Sequence, residues 1–185
     1  MKFLVVNATS LEQRLREAGF SEKTPPTHEM NTLYDLPDKS LRHKGHVLRL
    51  REYGDRWTLT HKAKSQNARH KTRIENETAV SDGPQMEAIL LALGYAPSFR
   101  YEKFRAEWTD GHGEVVIDRT PIGVVAEIEG APEWIDRTAA SLGVTESEYI
   151  TKSYANLFLE WRARTGSHAT DMTFAECGVS PAKLS

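Results

Sequence analysis

The sequence predicts an α+β protein in which eight antiparallel strands close into a barrel and the helices pack outside it. One observation behind this prediction is that six candidate strands carry charged residues on one face and apolar residues on the other. Another is that the charges cluster by sign on each strand, whereas a solvated face would mix both signs with Ser, Gln and Asn. A closed barrel accounts for both, because it turns the charged faces toward one another and leaves no edge strand.

The composition is that of an ordinary folded domain. A chain of 185 residues is long enough for one sizeable core, and its formal net charge of -2 gives no indication of a nucleic-acid partner. The single cysteine, Cys177, excludes an internal disulfide and argues against a thiolate zinc site. No apolar run is long enough to span a bilayer and the first ten residues do not form a signal peptide, so we expect no membrane partner and a cytoplasmic location.

Capping residues, glycines and prolines divide the first half of the chain into elements. A strand at 2–6 precedes a helix over 11–19, which Thr9 or Ser10 can cap and Gly19 can end. The elements that follow are a proline-containing connection at 24–29, a strand near 29–35, a helical turn around 39–45, a hairpin at 47–62, a strand at 71–80 and a helix at 85–94. The last helix has apolar residues at a spacing that predicts a packing stripe: Met86, Ile89, Leu90 and Leu93.

The second half predicts consecutive hairpins followed by helices, because the segments between its strands are short and contain Gly, Asp or Pro. The order is strands near 98–109, 114–119 and 122–130, helices over 132–142 and 146–164, and a polar segment without periodicity from 166. We therefore expect one domain over residues 1–165 and a polar C-terminal tail over 166–185.

The hairpin 47-VLRLREYGDRWTLTHK-62 shows the charged face most clearly. Arg49 and Arg51 share one face of its first strand, and Lys62 lies on the charged face of its second strand. The opposite face is apolar: Leu48, Leu50, Trp57 and Leu59. A solvated face would explain one such hairpin, since antiparallel sheets commonly face water on one side. The same alternation on the other strands favours a functional interior.

The charged residues of the predicted interior need counter-charges, because burying unpaired ions is costly. Arginine forks match phosphate oxygens, so a polyanion suits the basic residues. These are Arg49, Arg51, Lys62, Arg73, Lys103 and Arg105. Carboxylate oxygens suit a hard divalent cation, and the acidic residues are Glu75, Glu77, Asp118, Glu127 and Glu129. A polyphosphate bound to Mg²⁺ or Mn²⁺ satisfies both groups.

Six segments occur in the order and at the spacing typical of a known family. They are 31-NTLYDLPDKSLRHKGHVLRLR-51, 58-TLTHK-62, 73-RIENE-77, 103-KFR-105, 118-DRTPIGVVAEIE-129 and 152-KSY-154. On these segments the sequence resembles the CYTH superfamily, the triphosphate tunnel metalloenzymes, which includes thiamine triphosphatases, inorganic triphosphatases and class IV adenylate cyclases. The resemblance covers roughly residues 2–158.

The resemblance implies an eight-stranded tunnel that binds a triphosphate and a divalent metal. The phosphate-binding residues it implies are Arg49, Arg51, Lys62, Arg73, Lys103, Arg105 and Lys152. The metal ligands it implies are Glu75, Glu77, Asp118, Glu127 and Glu129. The catalytic residues are then Lys2, Arg51, Lys62, Glu127 and Glu129. The cofactor expected from the resemblance is Mg²⁺ or Mn²⁺.

The N-terminus departs from the family pattern. The signature of the family opens the first strand with Glu-x-Glu-x-Lys, and Lys2 aligns with its lysine, which places both glutamates before Met1. A misassigned start and a loss of the carboxylates are both compatible with this alignment. In either case we expect this chain to bind metal less tightly than a relative that has both glutamates.

The function expected from the resemblance is metal-dependent hydrolysis of tripolyphosphate, thiamine triphosphate or a nucleoside triphosphate. Three alternatives stay open: a class IV adenylate cyclase that converts ATP to cyclic AMP and pyrophosphate, a non-catalytic polyphosphate-binding module, and a purely structural barrel. No Gly-x-x-x-x-Gly-Lys loop is present, so side chains would bind the phosphates. The partner is a small triphosphate or polyphosphate, and a homodimer is an open alternative to a monomer.

Overall fold

The computed structural model of the chain describes residues 1–63 and 75–181. These residues form eight strands and six α-helices, and none of the helices is long and apolar enough to cross a membrane. In chain order the elements are β1 (Lys2–Val5), α1 (Ala8–Glu17), β2 (Ser21–Asp35), α2 (Ser40–His43), β3 (Val47–Tyr53), β4 (Arg56–Lys62), β5 (Glu75–Val80), α3 (Gly83–Ala92), β6 (Ala96–Thr109), β7 (Glu114–Thr120), β8 (Gly123–Glu129), α4 (Pro132–Ser141), α5 (Tyr154–Thr165) and α6 (Phe174–Cys177).

The strands form one antiparallel sheet in the order β1-β8-β7-β6-β2-β3-β4-β5. The consecutive hairpins predicted for the second half are confirmed, because β6 pairs with β7 and β7 pairs with β8. The predicted α+β class is confirmed as well. Ladder hydrogen bonds do not close the sheet in the part of the chain that the structure describes, so the closed barrel stays a prediction.

The chain divides into two compact units. The first contains Met1–His28 and Glu102–Ser185, and the second contains Glu29–Tyr101. Strands β2 and β6 are long enough to contribute residues to both units. The predicted division into a domain over 1–165 and a tail over 166–185 stays a prediction.

The core of the first unit lies between one face of its strands and the helices α1 and α4. Leu11 and Leu15 on α1 are fully buried against Ile117 on β7 and Ile128 on β8, and Trp134 on α4 joins the same cluster. The charged residues of these strands occupy the other face, as the two-residue period predicts. Helix packing on one face of the sheet therefore leaves the charged face uncovered by α1 and α4.

The core of the second unit is smaller. Tyr34, Leu50 and Leu90 are buried together, with Trp57 packed against them. Helix α3 begins directly on Trp57, since a Cβ atom at Gly83 would lie 2.0 Å from the indole ring. The predicted stripe on α3 is wrong in part: Leu90 is buried and Met86 is partly buried, but Ile89 and Leu93 are 51% and 66% exposed.

Two local predictions near the N-terminus are wrong. Helix α1 starts earlier than predicted, and its cap is Asn7, whose side chain accepts a hydrogen bond from the Ser10 N–H at 2.9 Å. The prolines at 25 and 26 do not form a connection between elements, because β2 runs through both as one strand. Proline is compatible with extended backbone when its missing N–H is not needed in the ladder.

The helix predicted over 146–164 is divided. A single 3₁₀ turn at Glu146–Glu148 is followed by extended backbone, and α5 begins only at Tyr154. The N–H of Ile150 donates a hydrogen bond to the Lys2 carbonyl at 2.8 Å, which holds this segment against β1. A tertiary contact therefore decides where α5 starts.

The segment after α5 is folded onto the first unit. Met172 is fully buried, and its carbonyl accepts a hydrogen bond from the Glu102 N–H at 3.0 Å. The ring of Phe174 lies 5.7 Å from that of Phe104, and the Phe174 N–H donates to the Glu102 carboxylate. Phe104 lies on the face of β6 opposite Lys103, so this segment covers the apolar face.

We expect Met172→Ala to lower the free energy of unfolding by about 2–5 kcal/mol, because it leaves a cavity where a fully buried side chain packs. Urea unfolding followed by circular dichroism measures this loss. The matched control is Leu159→Ala, since Leu159 on α5 is 50% exposed and should change stability by about 0.5 kcal/mol or less. Equal effects of the two substitutions would contradict a docked C-terminal segment.

Candidate functional site

A buried carboxylate holds two cations on the charged face of the first unit. Asp118 on β7 is fully buried. Its Oδ2 accepts hydrogen bonds from Lys103 Nζ at 2.9 Å and Arg105 Nη2 at 2.7 Å, and its Oδ1 accepts one from Arg105 Nε at 2.7 Å. Sheet register produces this geometry, because Arg105 pairs directly with Asp118 and Lys103 lies two residues away on the same face.

The charge of Asp118 is set by these neighbours. Burial alone would raise the pKa of the carboxyl group, but the charges of Lys103 and Arg105 more than offset burial and hold the pKa below its usual range. The carboxylate is therefore ionised at neutral pH. Lys103 is itself 3% exposed, so the pair is a buried ion pair whose desolvation must be offset by its hydrogen bonds.

Tyr154 brings a hydroxyl group into the same cluster. Its oxygen lies 2.5 Å from Asp118 Oδ2 and 3.0 Å from Glu127 Oε1. Burial raises the pKa of Tyr154 well above its usual value, and the charges of Asp118 and Glu127 raise it further, so the hydroxyl keeps its proton. Ser153 fixes the start of α5 here, because its side chain accepts a hydrogen bond from the Asn156 N–H.

Two carboxyl groups on β8 have pKa values shifted in opposite directions. Glu127 Oε1 lies 3.4 Å from Lys2 Nζ and 3.8 Å from Arg105 Nη2. Burial would raise the pKa of Glu127, but the charges of Lys2 and Arg105 lower it below its usual range. Partial burial, followed by the charge of Glu127, raises the pKa of Glu129. Glu129 is thus the carboxyl group of this face that gains a proton more readily.

In the second unit, two arginines of β3 share one carboxylate of β5. Arg49 Nη2 and Arg51 Nη2 lie 3.6 Å and 3.8 Å from the carboxylate oxygens of Glu77. The Thr60 hydroxyl accepts a hydrogen bond from Arg49 Nη2 at 3.3 Å and donates one to Glu77 at 2.6 Å. This donation, followed by the arginine charges against the opposing effect of burial, lowers the pKa of Glu77. Arg49 Nε is buried without a hydrogen-bond partner among the described residues.

Further polar side chains lie beside these arginines. Lys62 Nζ at the end of β4 is 2.7 Å from Glu75 Oε1 on β5. Asn31 on β2 pairs with Arg51 in the register of the sheet and is fully buried. Its side-chain amide donates a hydrogen bond to Glu29 Oε1 at 2.8 Å. The charged face of the second unit therefore continues from β3 into both of its neighbouring strands.

Most of the predicted site residues fall into two groups, one in each unit. The first-unit cluster contains Lys2, Lys103, Arg105, Asp118, Glu127 and Glu129. The second-unit cluster contains Arg49, Arg51, Lys62, Glu75 and Glu77. Lys152 joins neither network, because its Nζ pairs with Glu160 on α5 at 2.6 Å and its side chain is half exposed. Arg73 lies outside the described residues. The roles implied for all of these residues stay predictions.

Sequence reasoning missed several partners. The two-residue period places Thr60 on one face with Lys62 but gives it no role, and Glu29, which shares a face with Asn31, could have been included in the same way. Tyr154 follows Lys152 by two residues, which leaves it open between packing and the tunnel, and no periodicity connects it with Asp118, 36 residues away.

No three His, Cys, Asp or Glu side chains of the described residues lie together in a cluster that could hold a metal ion. The paired carboxylates of Glu127 and Glu129 fit a different arrangement, in which one or two carboxylates bind Mg²⁺ or Mn²⁺ and water and substrate phosphates complete the shell. Both oxygens of Asp118, in contrast, already accept hydrogen bonds from Lys103, Arg105 and Tyr154.

A match to a protein-family model identifies the family of this chain. The CYTH domain model matches residues 1–154, which include every residue of both clusters. The chain belongs to the CYTH family. The resemblance stated from the sequence is thereby confirmed. CYTH proteins are enzymes that bind triphosphate substrates and depend on a metal ion, although no specific metal is shown for this chain.

Solved structures share the fold at low sequence identity. A putative adenylate cyclase from Vibrio parahaemolyticus is 18% identical with a TM-score of 0.75, and the match covers 86% of this chain and 95% of that chain. A protein from Pyrococcus horikoshii is 22% identical with a TM-score of 0.70, covering 86% and 96%. A putative adenylyl cyclase from Hippeastrum, described as having a dominant triphosphatase activity, is 17% identical with a TM-score of 0.64, covering 86% and 94%. These likenesses show the CYTH fold.

No curated protein matches the chain significantly. The comparisons therefore leave hydrolysis and cyclisation as alternative activities. The cytoplasmic location, the absence of nucleic-acid and membrane partners, and the alternative of a homodimer stay predictions.

We expect Asp118→Asn to lower the free energy of unfolding at pH 7 by about 3–5 kcal/mol, because it removes the charge that neutralises buried Lys103. The folded pKa of Asp118 lies below its unfolded value of about 4, so this stabilisation is present above that pH and is lost as the pH falls toward the folded pKa. The difference between the variant and the unmodified chain should therefore shrink by about 1 kcal/mol at pH 3.

Urea unfolding at pH 7, 5 and 3 measures this difference. Asp136→Asn on α4 is the matched control, because Asp136 is exposed and its substitution should have little effect at each pH. A difference that stays constant from pH 7 to pH 3 would contradict the assigned charge of Asp118.

Proposed function

We propose that this protein is a metal-dependent hydrolase of compounds that contain a triphosphate group, such as tripolyphosphate, thiamine triphosphate or a nucleoside triphosphate. The observation that carries the proposal is the buried Arg49 Nε, which has no hydrogen-bond partner among the described residues. An unpaired buried donor is costly, and a phosphate oxygen would satisfy it. Membership of a family that binds triphosphates supports the same ligand.

The second-unit cluster has the chemistry of a phosphate-binding site. The contacts of Arg49 and Arg51 with Glu77 are 3.6 Å and 3.8 Å long, so they are ion pairs and not hydrogen bonds. Their guanidinium groups can therefore turn to phosphate oxygens without losing strong hydrogen bonds to Glu77. The carboxylate, held by Thr60, keeps the two arginines oriented until the ligand arrives.

The first-unit cluster would stabilise the charge that develops during phosphoryl transfer. Asp118 orients Lys103 and Arg105 through three hydrogen bonds, and Lys2 lies beside Glu127 on the same face. Cations that are already oriented in a water-poor site stabilise developing charge without reorganisation during the reaction. In this proposal Lys103 and Arg105 bind phosphate, and Lys2 neutralises charge at the reacting group.

Glu127 and Glu129 would hold the metal ion on which the family depends. Partial burial, followed by the charge of Glu127, raises the pKa of Glu129, and a divalent cation beside the two carboxylates would offset both effects. When bound, Mg²⁺ or Mn²⁺ supplies charge neutralisation at phosphate oxygens and lowers the pKa of coordinated water. The carboxylates of Glu75, Glu77 and Asp118 are paired with cationic side chains.

The reaction is a displacement at the terminal phosphorus atom. A water oxygen forms a bond to that phosphorus, and the bond from phosphorus to the bridging oxygen breaks, so the shortened polyphosphate leaves with the electron pair. The proton of the attacking water passes to a carboxylate.

We expect the protein to release phosphate from tripolyphosphate when Mg²⁺ or Mn²⁺ is present, and a chelator to abolish release. Thiamine triphosphate and ATP are assayed in parallel. Each assay compares the unextended chain with a version extended at its N-terminus by the Glu-x-Glu of the family signature. The variant Arg51→Ala, purified in the same way, is the control for contaminating phosphatases.

The products separate this proposal from the alternatives. Cyclic AMP and pyrophosphate formed from ATP, without phosphate release from any substrate, would assign the cyclase. Tripolyphosphate binding by calorimetry without turnover would assign a binding module. Absence of both binding and turnover in both versions of the chain would contradict a triphosphate function altogether.

We expect Arg49→Lys to weaken tripolyphosphate binding by roughly tenfold, because lysine keeps the charge but lacks the planar fork and its Nε–H. Isothermal calorimetry at fixed ionic strength measures the dissociation constant. Arg137→Lys on α4 is the matched control, since this arginine is exposed and outside both clusters. Unchanged affinity of the Arg49 variant would show that the unpaired donor does not contact phosphate.

A further inference from the structure

Tyr154 is the last residue that the family model matches, and it lies at the centre of the first-unit cluster. Its side chain is 9% exposed. The hydroxyl group reaches the carboxylates of two different strands, Asp118 on β7 and Glu127 on β8. Because no strand carries Tyr154, the first turn of α5 must place it there.

We propose that Tyr154 is a positioning residue whose hydroxyl group fixes the Asp118 carboxylate and thereby sets the orientation of Lys103 and Arg105 toward a bound phosphate. This inference rests on the proposed function for the phosphate, but the contacts that carry it are independent of turnover.

The hydrogen bonds of Asp118 leave little freedom once the hydroxyl is in place. A carboxylate has about four lone-pair positions. Oδ2 accepts hydrogen bonds from Lys103 Nζ, Arg105 Nη2 and the Tyr154 hydroxyl, the last at 2.5 Å, and Oδ1 accepts one from Arg105 Nε. Three of the donor atoms belong to two cationic side chains of β6, Lys103 and Arg105. Tyr154 is the neutral donor, and it approaches from a helix whose start is capped by Ser153.

The single proton of the phenol decides which carboxylate is held more firmly. Asp118 Oδ2 is nearer to the hydroxyl oxygen than Glu127 Oε1, at 2.5 Å against 3.0 Å, so the proton is directed mainly at Asp118. Glu127 is brought close but is held less strongly, and its oxygens also face Lys2 and Arg105. Tyr154 therefore fixes the carboxylate that orients cations and leaves the neighbouring carboxylate more adjustable.

The aromatic ring of Tyr154 has a separate contact with two lysines of the first-unit cluster. Lys103 Nζ lies 4.9 Å from the ring centroid and Lys2 Nζ lies 5.7 Å from it, within the range of a cation–π interaction. Phenylalanine would keep the ring and these contacts while losing the hydroxyl. The substitution Tyr154→Phe therefore isolates the hydrogen bond to Asp118.

We expect Tyr154→Phe to weaken tripolyphosphate binding by roughly tenfold and to speed exchange of the Arg105 Nε–H with water by a similar factor. Calorimetry measures the first effect. Proton–nitrogen NMR of the arginine side chains measures the second without ligand. For a chain that turns over, kcat on tripolyphosphate should fall together with affinity, while the unfolding temperature changes by a few degrees.

The matched control is Tyr34→Phe. Tyr34 is 2% exposed and also donates its hydroxyl proton to a carboxylate, Glu87 at 2.9 Å, but it lies in the core of the second unit. It should leave Arg105 exchange and tripolyphosphate affinity unchanged. This control separates loss of any buried phenol hydrogen bond from loss of the one at Asp118.

The outcomes are distinct. Faster Arg105 exchange with weaker binding in Tyr154→Phe alone supports the positioning role. Unchanged exchange in this variant overturns it, whether or not the protein hydrolyses anything. If the unmodified chain binds no triphosphate, the proposed function fails, and the exchange measurement still tests whether Tyr154 orders Arg105.

Discussion

The first unit depends on one interaction, the burial of the Asp118 carboxylate among Lys103, Arg105 and Tyr154. A charge with no solvent contact is stable only if its acceptors are all satisfied. This requirement fixes the register of β6 against β7, because a shift of one residue would move Arg105 to the apolar face. Tyr154, the first residue of α5, donates a further hydrogen bond to this carboxylate. Packing and charge thus specify the same arrangement.

Strand β7 packs one face in an apolar core and presents charged residues on the other face. Ile117 and Asp118 are adjacent in sequence, yet one is buried against α1 and the other among cations. Burial of the apolar face stabilises the strand in the sheet. This stabilisation offsets the free-energy cost of burying charged side chains on the other face. Helices α1 and α4 therefore support the site without contacting it.

The sequence predicts most of the strands because each one pairs a two-residue charge pattern with a glycine or proline boundary. It fails where a distant contact decides the outcome. The start of α5 depends on the Ile150 contact with Lys2, and β2 continues through Pro25 and Pro26 as one strand, where the prolines predict a connection. Residues Arg49, Arg105 and Asp118 were identifiable from charge and spacing. Tyr154 was not assigned, because its position two residues after Lys152 fits a packing role as well as a role in the tunnel.

The acidic residues divide into two kinds, and this division follows from their neighbours. Asp118 and Glu77 have lowered pKa values because donors and cations surround them, so they act as fixed anions that orient lysine and arginine. Glu129 has a raised pKa because burial and Glu127 disfavour its charge. A cation entering the cluster gains most beside the carboxylate that is least neutralised. In the proposed function, a metal ion would therefore gain more beside Glu129 than beside Asp118.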